Sequence, residues 1–244
     1  VYVDKQGVMR DAASRDEVAY YGVNYTLPFA HAYRAVKALG IEPKDAIDRD
    51  VYHIARLGLN AYRIHIWDVE ITDAHGNLIE NERLDLLDYL ISRLEERGIS
   101  VILTAQTNFG NGYPERNQPT GGYSYNYEKC RMHDTEECVR AQERYVESLV
   151  QHKNRYSGLT YAADKRIVAL EINNEPCHSG KPEAATAYIN RMVKAARKGG
   201  FKKPLLYNVS HNMANHTAAF FKANIQGTLS LIHISEPTRR VVIS

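Results

Sequence analysis

In the second half of the chain, a glutamate follows an apolar run and two asparagines. The segment RIVALEINNEP starts at Arg166 and ends in Asn173, Asn174, Glu175 and Pro176. Proline lacks the N–H that would extend a strand ladder, so we expect the strand to stop and to leave Glu175 at its end. Neighbouring side chains would desolvate the carboxyl group and keep it partly protonated, as a general acid for a leaving oxygen requires. The alternative is a surface turn, which Asn, Glu and Pro also suit.

The elements that would position such side chains alternate between two patterns. Runs rich in β-branched and aromatic residues predict strands at 18–25, 60–71, 100–109, 166–173 and 204–210. Apolar residues at helical spacing predict helices at 45–57, 84–97, 135–152 and 182–198. A short helix at 217–222 would lead into a sixth strand at 224–228. This alternation indicates a parallel sheet with right-handed crossover connections.

The segment after the first predicted strand distinguishes an open sheet from a closed barrel. An open doubly wound sheet usually carries a glycine-rich turn after its first strand, whereas here the residues are NYTLPFAHAY. We therefore predict the α/β class and an incomplete (β/α)8 TIM barrel with about six of its eight strands. Functional side chains of this fold lie at the carboxyl ends of the strands. The candidates there are Asn24, Tyr25, Arg63, His65, Trp67, Thr107, Asn108, Asn174, Glu175, Asn208 and His211.

Composition excludes several classes of function. The 244 residues are 44% hydrophobic, enough for one sizeable core, and the net charge of +2 forms no basic stripe, so nucleic acid is not an expected partner. The apolar runs are far shorter than the roughly 20 residues of a membrane span. No H-E-x-x-H motif or close histidine pair occurs on a predicted strand or helix in a metal-binding arrangement, so we expect no metal and no cofactor. Cys130 and Cys138 flank a short polar loop and could pair in an oxidising compartment.

Three segments together resemble a known group of enzymes. YYGVNY, AYRIHIW and RIVALEINNEP, on the first, second and fourth predicted strands, are similar to segments of the clan A glycoside hydrolases, especially family 5 and the barrel domain of family 2. The resemblance covers roughly residues 18–228. It implies a retaining β-glycosidase for a β-linked oligo- or polysaccharide of the glucan, mannan or galactoside class. It also slightly favours a secreted or periplasmic location, and it leaves endo or exo action and the oligomeric state open.

The resemblance implies roles for individual residues. Glu175 corresponds to the catalytic acid/base, and Asn174 to the amide that binds the sugar 2-hydroxyl. Arg63 corresponds to the arginine that supports the carboxylate on the far side of the sugar. The alternative for Arg63 is an ion pair inside the barrel with Glu171, four residues before Glu175 on the same strand.

The other candidates have structural alternatives. His65 would reach a sugar hydroxyl or be a satisfied interior histidine, and Trp67 would stack on a pyranose ring or pack in the core. Asn108, at the end of the third predicted strand, and His211, after the fifth, would line the cleft. Two other functions stay open: a carbohydrate-binding barrel without catalysis and, less favoured, a metal-dependent barrel hydrolase.

The end of the chain fits no barrel pattern. Leu229–Arg239, within LSLIHISEPTRRVVIS, matches the in-frame translation of a common transposase-based sequencing adapter. We therefore expect an N-terminal extension or hairpin at 1–17, a partial catalytic barrel at 18–228 and a non-native tail at 229–244. In the families that the chain resembles, the nucleophile is a glutamate at the end of the seventh strand, so it would be missing here and the fragment itself would be inactive. Glu236 in the tail is not taken as its substitute.

Overall fold

A short hairpin precedes the main sheet. The computed structural model describes residues 1–107, 109–112, 121–178, 182–209 and 228–232, with the backbone alone at 182, 208–209 and 228–232. Strands β1 (Tyr2–Val3) and β2 (Met9–Arg10) pair antiparallel. Val1 and Tyr20 pack on an apolar cluster of Ile102, Val168, Ala169 and Leu206. The N-terminal segment thus covers apolar side chains near the beginnings of the central strands.

Six parallel strands form the main sheet and follow one another in chain order. They are β3 (Gly22–Tyr25), β4 (Ala61–His65), β5 (Ser100–Gln106), β6 (Ile167–Asn173), β7 (Leu205–Val209) and β8 (Thr228–Ile232). Parallel neighbours in chain order, with helices joining the first five strands, are the arrangement of a (β/α)8 barrel, so the predicted fold class is confirmed. Gly22 is required where β3 meets β4, because a Cβ there would lie 2.0 Å from the carbonyl oxygen of Ala61.

The sixth strand lies later than predicted. We expected it at 224–228, and the structure pairs Thr228–Ile232 with β7, within the segment that was expected to fit no barrel pattern. Without this pairing, β7 would be an edge strand with unpaired backbone groups. The backbone of Thr228–Ile232 pairs with β7 along its whole length.

In the described part of the chain, five α-helices connect and cover the strands. They are α1 (Ala30–Ala38), α2 (Pro43–Arg56), α3 (Glu82–Glu96), α4 (Glu136–Gln151) and α5 (Pro182–Lys198). The last four lie within two residues of their predicted bounds. Among the described helices, none combines the length and the apolar character needed to cross a membrane.

Helix α1 was missed because its stabilising contact is not local. Its N-cap, Phe29, makes no side-chain hydrogen bond to the helix. The backbone N–H of Ala30 instead donates to Oε2 of Glu70 at 3.2 Å, and Arg34 of the same helix forms an ion pair with Glu70 at 3.0 Å. A carboxylate forty residues away thus takes the place of the cap signal that the sequence lacks.

The disulfide joins a different pair of cysteines from the one considered. Cys130 bonds to Cys177, whereas Cys138 is a buried free thiol. Cys138 lies in the first turn of α4 and faces the core, where its sulfur accepts a hydrogen bond from Gln142. Since the side chain of Cys138 is committed to the core, the Cys130–Cys138 pair is not formed.

Candidate active site

Arg63 is the centre of a polar cluster inside the barrel. Its Nε donates to Oε2 of Glu171 on β6 at 2.7 Å, and its Nη2 lies 2.6 Å from the same oxygen. The hydroxyl of Thr104 on β5 also donates to that oxygen, at 2.6 Å. Only 12% of the Arg63 side chain and 1% of the Glu171 side chain are exposed. The interior ion pair with Glu171, one of the two roles considered for Arg63, is therefore present.

Arg63 also orients side chains on β3, on β4 and directly after β6. Its Nη1 donates to Oδ1 of Asn24 at 3.1 Å and contacts Nε2 of His65. Its Nη2 donates to Oδ1 of Asn174 at 3.1 Å. A guanidinium has donors only, so each partner must present a lone pair to it. Asn174 consequently keeps its NH2 group for another acceptor, and His65 carries its proton on Nδ1.

The environment of His65 keeps it neutral. Burial, followed by the positive charge of Arg63, lowers the pKa of His65 to about 3. At any ordinary pH the imidazole is therefore a hydrogen-bonding group without charge. This matches the satisfied interior histidine, and the contact with a sugar hydroxyl stays a prediction.

Glu175 lies at the carboxyl end of β6 but is not desolvated. The N–H of Asn174 donates to the carbonyl of Gln106 at 2.9 Å and extends the pairing of β5 with β6 by one residue. The chain then turns at Glu175, whose φ of 46° is left-handed, and Glu175 is exposed whereas Pro176 is buried. The expected burial of this carboxyl group is therefore wrong, because the backbone leaves the sheet at this residue.

Asn173 and Asn174 are neighbouring amides whose side chains make contacts on opposite sides of β6. The side-chain nitrogen of Asn173 donates to the hydroxyl of Tyr188 on α5 at 2.7 Å. Asn174, the next residue, contacts Arg63 in the interior. Asn173 therefore anchors a helix, and Asn174 alone of the two belongs to the polar cluster.

Trp67 packs in the core. It is 4% exposed, and its ring lies parallel to that of Phe109 with a centroid separation of 5.2 Å and an interplanar angle of 7°. The described residues thus cover a face of the indole that a sugar ring would need. These contacts match the packing alternative for Trp67, and the stacking on a pyranose ring stays a prediction.

The described residues include most of the predicted site. Asn108 and His211 lie outside the described residues. Within the part of the chain that the structure does describe, no group of three His, Cys, Asp or Glu side chains is arranged to hold a metal ion.

Asp68 is a buried carboxyl group that sequence reasoning missed. It accepts hydrogen bonds from the Ser124 hydroxyl at 2.5 Å and from the Thr107 backbone N–H at 3.4 Å. Burial raises its pKa to about 6. It joins the segment after β4 to the long segment after β5. The run WDVE resembled a continuing strand, so no local signal marked this turn.

The fold has counterparts among solved structures. The endo-β-1,4-mannanase from Thermotoga petrophila has a TM-score of 0.59 and 19% identity, over 80% of this chain and 43% of its own. An exo-β-1,4-mannosidase from Opitutaceae bacterium strain TAV5 has a TM-score of 0.64 and 18% identity, over 85% of this chain and 34% of its own. A glycoside hydrolase family 5 mannosidase from Rhizomucor miehei has a TM-score of 0.60 and 15% identity, over 85% of this chain and 55% of its own.

These similarities are structural. No protein-family model and no curated protein match the sequence. The TM-scores of 0.59–0.64 show that the chain shares the barrel fold of these glycoside hydrolases, and at identities of 15–19% they show the fold alone. The chain spans between 34% and 55% of the length of these three proteins.

Proposed function

We propose that the chain is part of a retaining β-glycoside hydrolase in which Glu175 is the general acid/base. The observation that carries the proposal is the pairing of an exposed carboxylate with an oriented amide at the carboxyl end of β6. Glu175 is exposed there, and the neighbouring Asn174 is held by Arg63. Three solved proteins with this fold are a mannanase and two mannosidases, so β-mannosides are the first substrates to assay within the β-linked glucan, mannan and galactoside class.

In the proposed mechanism, Glu175 gives its proton to the leaving oxygen as the glycosidic bond breaks. A second carboxylate, about 5 Å away in retaining enzymes, attacks the anomeric carbon to form a glycosyl-enzyme. Glu175 then takes a proton from the water that cleaves this intermediate. We place the second carboxylate, a glutamate, outside this chain. Since Glu175 is exposed, the bound substrate must exclude water from it.

Asn174 is suited to bind the sugar at the reacting centre. Because its oxygen accepts from Arg63, its NH2 group is left to donate to a hydroxyl oxygen, which we assign to the sugar 2-hydroxyl. Asn174→Ala should lower kcat and kcat/KM together, since a bond that strengthens in the transition state is lost. A change confined to KM would contradict this role.

Hydrolysis of aryl β-glycosides tests the function. Mannosides, glucosides and galactosides with good and poor leaving groups are assayed with this chain and with the longest product of its gene. In whichever protein turns over, Glu175→Gln should lower turnover of poor leaving groups by roughly 10²–10⁴-fold and largely spare glycosylation by activated ones. Glu183→Gln, at an exposed glutamate on α5, is the matched control and should have no effect.

The outcomes separate the candidate functions. Equal losses on both kinds of leaving group would refute the acid/base role. Binding of manno-oligosaccharides without hydrolysis by any product of the gene would favour the carbohydrate-binding barrel. Loss of hydrolysis on chelation would favour the metal-dependent alternative.

A further inference from the structure

One cysteine of the disulfide lies two residues after Glu175. Cys177 is bonded to Cys130, which lies 47 residues earlier in the 3-10 helix Lys129–Arg131. The bond therefore ties the segment after β6 to the long segment after β5. Both segments follow the carboxyl ends of their strands, where the candidate site lies.

The backbone at Glu175 needs to be held in place. A left-handed conformation is unfavourable for a residue other than glycine, and it persists only where the surrounding structure fixes it. Glu175 has such a conformation, with a φ of 46°. On its N-terminal side the chain is fixed through Asn174, which bonds to Gln106 and Arg63.

Cys177 fixes the chain on the other side of Glu175. Besides the disulfide, its carbonyl oxygen lies 2.9 Å from Nδ1 of His133. A carbonyl can only accept, so Nδ1 of His133 donates to it. His133 is 5% exposed, and burial lowers its pKa to about 4, which keeps the neutral form at physiological pH. The short segment from Cys130 to His133 thus holds Cys177 at two points, one covalent and one hydrogen-bonded.

The disulfide is placed to respond to a reductant. Cys130 and Cys177 are both half-buried rather than enclosed, so a small thiol can approach the bond. The third thiol, Cys138, is buried and its pKa is raised to about 12 by burial, so it is not a competing nucleophile. Opening and closing of the Cys130–Cys177 bond should therefore be reversible, without exchange to Cys138.

We infer that the Cys130–Cys177 disulfide is a redox-responsive positioning element for Glu175. The inference rests on the proposed role of Glu175 as acid/base. In the oxidised protein the disulfide and His133 hold the turn in the conformation that aims Glu175. A dithiol opens the bond: one of its thiolates attacks a sulfur, and its second thiol resolves the mixed disulfide. Two electrons and two protons pass to Cys130 and Cys177, and the dithiol becomes a disulfide.

Two measurements on oxidised and dithiothreitol-reduced protein test the inference. In hydrogen–deuterium exchange, reduction should speed exchange of amides in 174–178 at least tenfold and leave β5 unchanged. In the glycosidase assay, reduction should lower kcat for poor leaving groups about tenfold or more, with smaller losses for activated substrates and KM within twofold. Reoxidation with glutathione disulfide should restore both.

Variants separate positioning from general damage. Cys130→Ser/Cys177→Ser should behave as reduced protein under all conditions, and Cys138→Ala should respond to reduction as the unmodified chain does. Unchanged exchange after reduction, or equal activity losses on both kinds of leaving group, would overturn the inference. If no product of the gene hydrolyses a glycoside, the proposed function fails, and the exchange experiment still decides whether the disulfide holds the turn.

Discussion

Glu171 and Glu175 lie four residues apart on one segment, yet their surroundings are opposite. Glu171 is inside the barrel, and its side chain is 1% exposed. One of its oxygens accepts hydrogen bonds from Arg63 and Thr104. Glu175 is exposed and sits on a left-handed turn beyond the end of the strand. One segment thus carries a carboxylate that is buried in an ion pair and a second carboxylate that is exposed.

The difference shows how a barrel separates stability from chemistry along a single strand. A buried carboxylate costs several kcal/mol unless a charge and hydrogen bonds compensate it, and Glu171 has both. Arg63 links the two regions, since it binds Glu171 and also orients Asn174, the neighbour of Glu175. The interior ion pair therefore supports the exposed site without occupying it.

Removing the buried carboxylate should have the largest effect. Glu171→Gln leaves the charge of Arg63 largely buried without its counter-ion, which should lower the free energy of unfolding by about 3–5 kcal/mol. Glu175→Gln should change it by less than about 0.5 kcal/mol, since the residue is exposed. Urea denaturation of both variants measures the contrast.

The double variant Arg63→Met/Glu171→Leu sharpens this comparison. It removes both charges, and it should recover most of the stability lost in Glu171→Gln. A loss under 1 kcal/mol in Glu171→Gln would show that the ion pair does not hold the interior together.

The pH dependence of stability should report His65, which lies beside Arg63. Its pKa is about 3 in the folded protein, against about 6.5 unfolded. Between these values the unfolded chain binds a proton that the folded chain does not, so stability is full above pH 6.5 and falls as the pH decreases. The loss from His65 should reach about 2 kcal/mol at pH 5. His65→Gln should remove this part of the slope, and His31→Gln, at an exposed histidine, should not.

Two other buried groups also contribute to the pH dependence of stability. The quantity to measure is therefore the difference in the free energy of unfolding between the unmodified chain and the variant. His133, with a pKa of about 4, adds a loss of the same sign as His65. Asp68 acts in the opposite sense, because its raised pKa of about 6 means that its contribution is full below about 3.8 and is lost as the pH rises through 6. The assignment to His65 would be contradicted if the free energy of unfolding changed between pH 5 and 7 by the same amount in the unmodified chain and in His65→Gln.

Much of the fold could be predicted because the controlling signals are local. Helices α2–α5 show strong apolar periodicity, and Pro176 marks the end of β6. The interior pair of Arg63 with Glu171 was one of two alternatives, since both residues sit on predicted strands, the second and the fourth, that face one barrel interior.

The missed features depend on partners distant in sequence. Glu70 caps α1 from forty residues away, and Cys177 bonds to Cys130 across 47 residues. The exposure of Glu175 follows from a left-handed backbone that is unusual for glutamate and that no residue type in NNEP requires. The ring of Trp67 stacks on that of Phe109, a contact that the spacing of aromatic residues does not reveal.

The smallest predicted effect is a gain in stability at Glu175 itself. Its φ of 46° is costly for glutamate and nearly free for glycine. Part of the gain is offset because glycine loses more backbone entropy on folding, so Glu175→Gly should raise the free energy of unfolding by only about 0.5–1 kcal/mol. Glu175→Ala keeps the unfavourable backbone and should show no gain, which makes it the matched control. Urea denaturation that finds equal stabilities for the Gly and Ala variants would show that the turn carries no strain. A gain for Gly alone, together with the expected loss of acid/base function, would show that the exposed carboxylate is kept at the expense of stability, unlike Glu171.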